Sequence, residues 1–137
     1  MQLRAICKSK IHRATVTQAN VDYIGSIAID TELLERVDIL PGEKVAVWNV
    51  TNGQRIETYA LPAPAGSGEV IVNGAAAHHF SPGDLVIVVS FVLTDEKIDP
   101  RMILVDGQNR FVEWLVDNRM PDYSISRLLT PAPEVAA

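Results

Sequence analysis

The sequence predicts a mainly β chain that closes into a small barrel. Three observations predict it. Short runs rich in β-branched and apolar residues dominate the chain, only one segment reads clearly as a helix, and turn residues separate the runs at close intervals. A length of 137 residues suits one domain with one core. There is no internal repeat and no interdomain linker, and 47% apolar with 21% charged residues places the chain among globular proteins.

The elements follow in order. "LRAICKSKIHRATVT" alternates in part and reads as a strand, and "SIAI" follows the Gly25-Ser26 pair as a second. "DTELLERVDIL" is the helix: Asp30 can cap it, Glu32 lies in the first turn, Leu33, Leu34 and Val37 share a face, and Pro41-Gly42 stops it. "KVAVWNV", "RIETYAL", "EVIVNG", "DLVIVVSFVL" and "RMILVD" are further strands. "DLVIVVSFVL" lacks alternation, so both its faces should be buried in a core or a subunit contact. "RFVEWLV" may be read as a last strand before a short helix, and "TPAPEVAA" as a frayed tail.

Charge and composition narrow the function classes. A net charge of −5 argues against general nucleic-acid binding. Arg4, Lys8, Lys10 and Arg13 nevertheless precede the first acidic residue, Asp22, and could hold a small anion; solvated surface lysines are the plainer reading. The N-terminus does not read as a signal peptide, and no apolar run is long enough to span a bilayer, so no membrane partner is expected. The lone Cys7 cannot form an internal disulfide, which fits a reducing cytoplasm.

Two local patterns ask for chemistry. Gly25-Ser26 interrupts an apolar run, putting a permissive backbone joint beside a hydroxyl nucleophile. In "VWNVTNGQRIETY", Asn52-Gly53 signals a two-residue type I′ turn that would pair Trp48 with Glu57 and Val50 with Arg55. One face of that hairpin carries Trp48, Val50, Arg55, Glu57 and Tyr59; the other carries Val47, Asn49, Ile56 and Thr58. Arg55, Tyr59 and Trp48 together suit a carboxylate, whereas an Arg55–Glu57 neighbour pair on a polar face would need no ligand. "YIGSIA" lacks the second glycine of a hydrolase elbow, and "AGSGEV" lacks the lysine of a phosphate loop and reads as a plain turn. His78 and His79 diverge on any regular element and have no third partner, so no metal is expected. "VNGAAAHH" reads as a tight turn into a short helix whose small residues allow a ligand close to the backbone.

The segments "KIHRATVT", "DYIGSIAID", "VWNVTNG", "TYA", "VNGAAAH" and "GDLVIVVSF" occur in that order at close spacing. Together they resemble the family of bacterial pyruvoyl-dependent aspartate 1-decarboxylases over roughly residues 1 to 106. The resemblance implies a six-stranded double-psi β-barrel with short helices, a homotetramer, and active sites between subunits. It implies decarboxylation of L-aspartate to β-alanine and CO2 for pantothenate and coenzyme A synthesis.

It also implies self-cleavage between Gly25 and Ser26 into fragments 1–25 and 26–137. Ser26 becomes a covalent pyruvoyl group, which takes the substrate amine as a Schiff base and acts as the electron sink that pyridoxal phosphate supplies elsewhere. Serine supplies the nucleophile and glycine tolerates a strained joint. By the same resemblance Arg55 and Lys10 bind substrate carboxylate, Tyr59 protonates Cα, and Thr58 assists cleavage at the Gly25 carbonyl. Asn73, Gly74, Ala75 and Ala76 line the pocket, with His12, Tyr23 and Trp48 close by. Thr58 lies on the opposite hairpin face from Tyr59, so either the strand ends or twists there, or the two serve different sites. Ile24 departs from the polar or acidic residue many members carry, and residues 117–137 form an atypical C-terminal extension. Two alternatives stay open: a pyruvoyl decarboxylase of another small acidic amino acid, and a non-catalytic double-psi barrel that binds or regulates. A maturation factor is a further partner left open.

Overall fold

A computed structural model describes residues 1–116 together with Tyr123. The nine strands of the described residues are β1 (Arg4–Thr15), β2 (Gln18–Asn20), β3 (Ser26–Asp30), β4 (Lys44–Asn49), β5 (Arg55–Ala63), β6 (Val70–Asn73), β7 (Leu85–Thr94), β8 (Arg101–Val105) and β9 (Phe111–Trp114). They join in the order β2-β6-β3-β5-β4-β7-β1-β8-β9. The chain is therefore mainly β, with nine strands where six were expected. The short β2 and β9 stand at the two ends of the order, and β8 lies parallel to β1 beyond its β7 partner. Only β2 had no sequence signal: its three residues, Gln-Ala-Asn, become a strand by pairing with β6.

The sheet curls back on itself. Only Val16 and Thr17 separate β1 from β2 in the chain, yet the two stand far apart in the strand order. Thr17 N–H donates to Val70 O at 2.8 Å, and Val16 N–H to Asp84 O at 2.9 Å. The Asn109 side chain joins both sides of this seam, accepting from Thr15 N–H and donating to Thr15 O and Gly68 O. Inside, Ile11, Ile27, Val47, Val72, Val88 and Ile103 are fully buried. Strand alternation produces this: in β4, Val45, Val47 and Asn49 are buried while Lys44, Ala46 and Trp48 face outward.

Helix α1 (Thr31–Val37) starts as expected, with the Asp30 carboxylate accepting from Glu32 N–H at 2.9 Å. Asp30 is buried and also accepts from Gly66 and Gly68 N–H, so the "AGSGEV" turn is built around the helix cap. The helix ends before Pro41-Gly42. Asp38 takes the left-handed conformation at φ 60° and closes the last turn, and Lys8 holds its carbonyl. Lys8 also pairs with Glu43 at 3.1 Å, so it is a structural cation rather than a free anion-binding one. In β7, Val86, Val88, Val89 and Ser90 are buried, but Phe91 and Leu93 are 47% and 69% exposed, so within one chain both faces are buried for only part of that run. No helix among the described residues is long and apolar enough to cross a membrane. The expected short helix after β9 and the extension 117–137 lie outside the described residues, Tyr123 excepted.

Candidate active site

Ser26 is the first residue of β3, paired with Asn73 of β6, and its side chain is buried. Among the described residues no hydrogen bond engages its Oγ. Before it, residues 21–25 form an exposed loop in which Tyr23 and Ile24 are 66% and 87% exposed. The close packing at this joint falls on Gly74, not Gly25. Gly74 has φ +74°, and a Cβ there would lie 2.5 Å from Gly25 Cα, 2.8 Å from Gly25 N and 3.2 Å from Tyr23 O. Only glycine leaves room for that approach, and any other residue is strained in that backbone conformation. A Cβ on Gly25 would meet only Asn73 O, at 3.8 Å, and its φ is unremarkable. Neither a positive φ nor a close Cβ contact therefore marks Gly25, and the position that demands glycine is Gly74, which presses on it.

Asn73 and Gly74 open the 3-10 helix Gly74–His79, so the expected short helix forms. Ala75 is exposed, Ala76 half-buried and Ala77 buried. His78 and His79 are exposed, and the described residues contain no cluster that could hold a metal ion.

β5 runs unbroken through Thr58 and Tyr59, which excludes the idea that the strand ends there. Tyr59 is 37% exposed, Thr58 is half-buried, and Ala60 is buried. β3 and β5 are parallel, with Ile27 opposite Ala60. Continuing that register toward the N-terminus sets Ser26 level with Tyr59 and Gly25 level with Thr58.

The hairpin has the expected faces but a different register. Trp48 lies opposite Arg55 and Ala46 opposite Glu57, a shift of two residues, which keeps every side chain on its face. The reason is the turn. A type I′ turn needs positive φ at both central residues, and only Gly53 has it. Asn49 instead accepts from Thr51 and Asn52 N–H through Oδ1, and Gly53 N–H closes onto Asn49 O at 2.8 Å. Glu57 pairs with Lys44 at 3.0 Å rather than with Arg55. The Arg55 guanidinium stacks over Trp48, 4.9 Å from its ring centroid.

Trp48 also lies opposite Ile87, and Ile87 opposite His12. His12, Trp48 and Arg55 therefore form one row across β1, β4 and β5, with Lys10 two residues along β1 from His12. Neither Lys10 nor Arg55 forms an ion pair with a described residue. Arg55 and Tyr59 are four residues apart on β5, about 13 Å at the usual strand rise. The candidate residues thus fall into two groups on one chain: Gly25, Ser26, Thr58, Tyr59, Asn73 and Gly74 in one, Lys10, His12, Trp48 and Arg55 in the other. Tyr23 stands with the first.

His12 is held neutral. Its pKa is lowered to about 4, first by burial and then by the Lys10 and Arg13 charges. Of the neighbours of His12, Tyr123 was missed at the level of sequence and Arg13 was read only as part of the basic N-terminal run. Its Nε2 lies 2.7 Å from Tyr123 Oη, and Arg13 packs over the Tyr123 ring at 4.7 Å. Strict alternation would send Arg13 to the other face. A bulge between His12 and Ala14, with Arg13 at φ 65°, brings both side chains to Tyr123.

A curled, mainly β sheet that buries Ser26 at the end of an exposed loop, beside a tyrosine-bearing strand, defines the class as a small curled-sheet β protein. The family model described as Aspartate decarboxylase matches residues 1–112. The aspartate 1-decarboxylase of Myxococcus xanthus is 55% identical over 113 residues, covering 80% of this chain and 87% of that protein. That of Pelotomaculum thermopropionicum is 54% identical over 110 residues, covering 77% and 83%. Among solved structures, the rationally designed mkDPBB_sym_86 protein aligns at 19% identity over 59% of this chain and 94% of its own, with a TM-score of 0.42, too slight a likeness to bear on the fold. The chain belongs to the aspartate decarboxylase family.

Proposed function

We propose that this chain cuts its own Gly25–Ser26 bond and then decarboxylates L-aspartate to β-alanine and CO2. The observation that carries the reading is Ser26, a buried residue whose hydroxyl has no hydrogen bond among the described residues, at a joint pressed by Gly74, in a member of this family. Those features fit a pyruvoyl group made from Ser26: the nucleophile adjoins its own target carbonyl, and the neighbouring position 74 leaves no room for a Cβ.

Cleavage uses only the chain's own atoms and one water. Ser26 Oγ attacks the Gly25 carbonyl, and the Ser26 nitrogen leaves with the hydroxyl proton, so an ester replaces the amide. Loss of the Ser26 Cα proton expels the Gly25 carboxylate and leaves dehydroalanine. Water then displaces ammonia, giving fragments 1–25 and 26–137, the second beginning with the pyruvoyl group. Thr58, level with Gly25 when the β3–β5 register is continued, holds the Gly25 carbonyl.

Once formed, the group supplies an electron sink for the carbanion left when CO2 departs. Tyr59 holds a proton at Oη on the level of residue 26 and delivers it to Cα. Asn73, Gly74, Ala75 and Ala76 form the floor. Arg55 and Lys10 take a substrate carboxylate, bordered by Trp48 and His12, with Tyr23 at the rim. The separation of about 13 Å along β5 exceeds what aspartate can bridge, which supports a site built between subunits of a homotetramer, Arg55 facing the Ser26 of another copy. The exposed Phe91 and Leu93 favour such burial. The fold we assign is a double-psi barrel over one domain, with 117–137 as an extension, in a cytoplasmic enzyme supplying pantothenate and coenzyme A synthesis.

Intact-protein mass spectrometry with a β-alanine assay tests the reading. Active protein should contain both fragments, the second blocked to Edman degradation, and Ser26→Ala should stay folded, uncut and inactive. Full activity in wholly uncut protein would overturn it. A panel of aspartate and glutamate decides the substrate, because one methylene is worth only about 1–3 kcal/mol of discrimination.

A further inference from the structure

The His12–Arg13 corner carries several retained costs. Arg13 is not glycine, yet it sits at φ 65°, and His12 Nδ1 and Arg13 Nε are buried with no hydrogen-bond partner among the described residues. Strained backbone and unmet polar atoms persist where the surroundings or the function hold them in place. Here the surroundings are one side chain from the C-terminal segment. Tyr123 places its hydroxyl on His12 Nε2 at 2.7 Å, its ring 5.9 Å from the imidazole, and its face 4.7 Å from the Arg13 guanidinium. The bulge at Arg13 brings these two consecutive residues to the same side. That side is the row shared with Trp48 and Arg55, next to Lys10.

We propose that Tyr123 is a positioning residue of the substrate site: through His12 and Arg13 it fixes the β1 border of the carboxylate wall formed by Lys10, Trp48 and Arg55. The proposal rests on the decarboxylase reading for what the wall binds. Tyr123 itself touches neither substrate nor the reacting bond. Its hydroxyl fixes the rotation of His12. Its ring holds the Arg13 charge aside, so that the nearby cation left to meet a carboxylate is Lys10. The segment beyond β9 thereby contributes to a site otherwise built from the barrel.

The test uses the full chain. Tyr123→Phe keeps the ring on Arg13 and removes only the hydroxyl. It should cut at the wild-type rate, keep kcat within about twofold, and raise KM for aspartate about fivefold, the worth of one ordinary hydrogen bond. Tyr123→Ala also frees Arg13 and should raise KM further. In a His12→Gln background Tyr123→Phe should add nothing, because its effect passes through the imidazole. Nitrogen NMR of the imidazoles gives a second readout that needs no activity: the His12 signals should move in Tyr123→Phe while those of His78 and His79 stay. An unmoved His12 signal, an unchanged or lowered KM, or an equal KM rise without His12 would overturn the proposal. If wild-type protein makes no β-alanine, the decarboxylase reading fails instead, and the NMR comparison still decides whether Tyr123 positions His12.

Discussion

Gly74→Ala should stall self-cleavage from a position outside the bond that is cut. The new Cβ would sit 2.5 Å from Gly25 Cα and 2.8 Å from Gly25 N, at a φ of +74°. The left-handed conformation alone costs alanine about 1–2 kcal/mol. Restoring ordinary contact moves the backbone by roughly 1 Å, and strain of that kind costs about 1–3 kcal/mol. The sum, about 2–5 kcal/mol, should appear as a lowered denaturant midpoint in the uncut chain. A misplacement near 1 Å also withdraws the Gly25 carbonyl from Ser26 Oγ, enough to slow an aligned attack about a hundredfold. The assay is a time course of intact mass on freshly purified protein, beside a denaturant titration. Gly25→Ala is the control. Its Cβ meets only Asn73 O at 3.8 Å, so it should fold within about 1 kcal/mol of wild type. Wild-type cutting and stability in Gly74→Ala would refute the reasoning, because the contact would then have yielded at no cost.

Three further outcomes are expected. Arg55→Ala should cut normally yet lose most aspartate turnover, and Arg55→Lys should recover only part, since an ammonium cannot make the two-pronged contact; steady-state kinetics on cleaved protein checks both. Thr58→Val should accumulate uncut chain on a denaturing gel, while Tyr59→Phe should cut, trap aspartate under borohydride, and release β-alanine very slowly. His12, with its pKa lowered to about 4, binds no proton in the folded chain between pH about 4 and 6.5, whereas the unfolded chain does. Its contribution is therefore intact above pH 6.5 and lost as pH falls toward 4. For a half-buried ring, solvent screening reduces it to about 1–2 kcal/mol, so wild type should lose that much more than His12→Gln between pH 7 and 4.5 in denaturant titrations.

What the sequence made legible was whatever depends on side-chain parity. The faces of β4 and β5 were readable because a two-residue register shift leaves parity unchanged, so Trp48 and Arg55 came out together although their pairing was misjudged. The turn itself was not readable, because Asn52-Gly53 suits a type I′ turn and the deciding contacts come from the Asn49 side chain outside it. β2 was invisible because nothing in Gln-Ala-Asn favours a strand without β6 beside it. Helix α1 was legible at its start, where Asp30 caps locally, and not at its end, where Lys8 from β1 holds the Asp38 carbonyl. The role of Gly74 depends on a contact with a loop some fifty residues earlier, and no local pattern announces it. The placement of Arg13 beside His12 and the part of Tyr123 escaped for the same reason: a bulge breaks alternation, and the tyrosine arrives from the far end of the chain.

On the proposed reading, the continuity of β5 lets one strand serve both self-cleavage and turnover. Neighbouring residues on a strand point to opposite faces, and β3 lies parallel beside them in fixed register. Continued one step past Ile27 and Ala60, that register presents Tyr59 to residue 26; continued two steps, it presents Thr58 to residue 25. A residue required at the carbonyl that is cut and a residue required at the group that remains can therefore be adjacent in sequence without competing for the same space. The arrangement also separates their mutational effects, since a change at Thr58 leaves the Tyr59 face untouched. Arg55, on the Tyr59 face but two alternations farther along, is too distant to join either task on its own chain. On that reading the strand that sets Thr58 beside Gly25 within one chain leaves its Arg55 end available to a second.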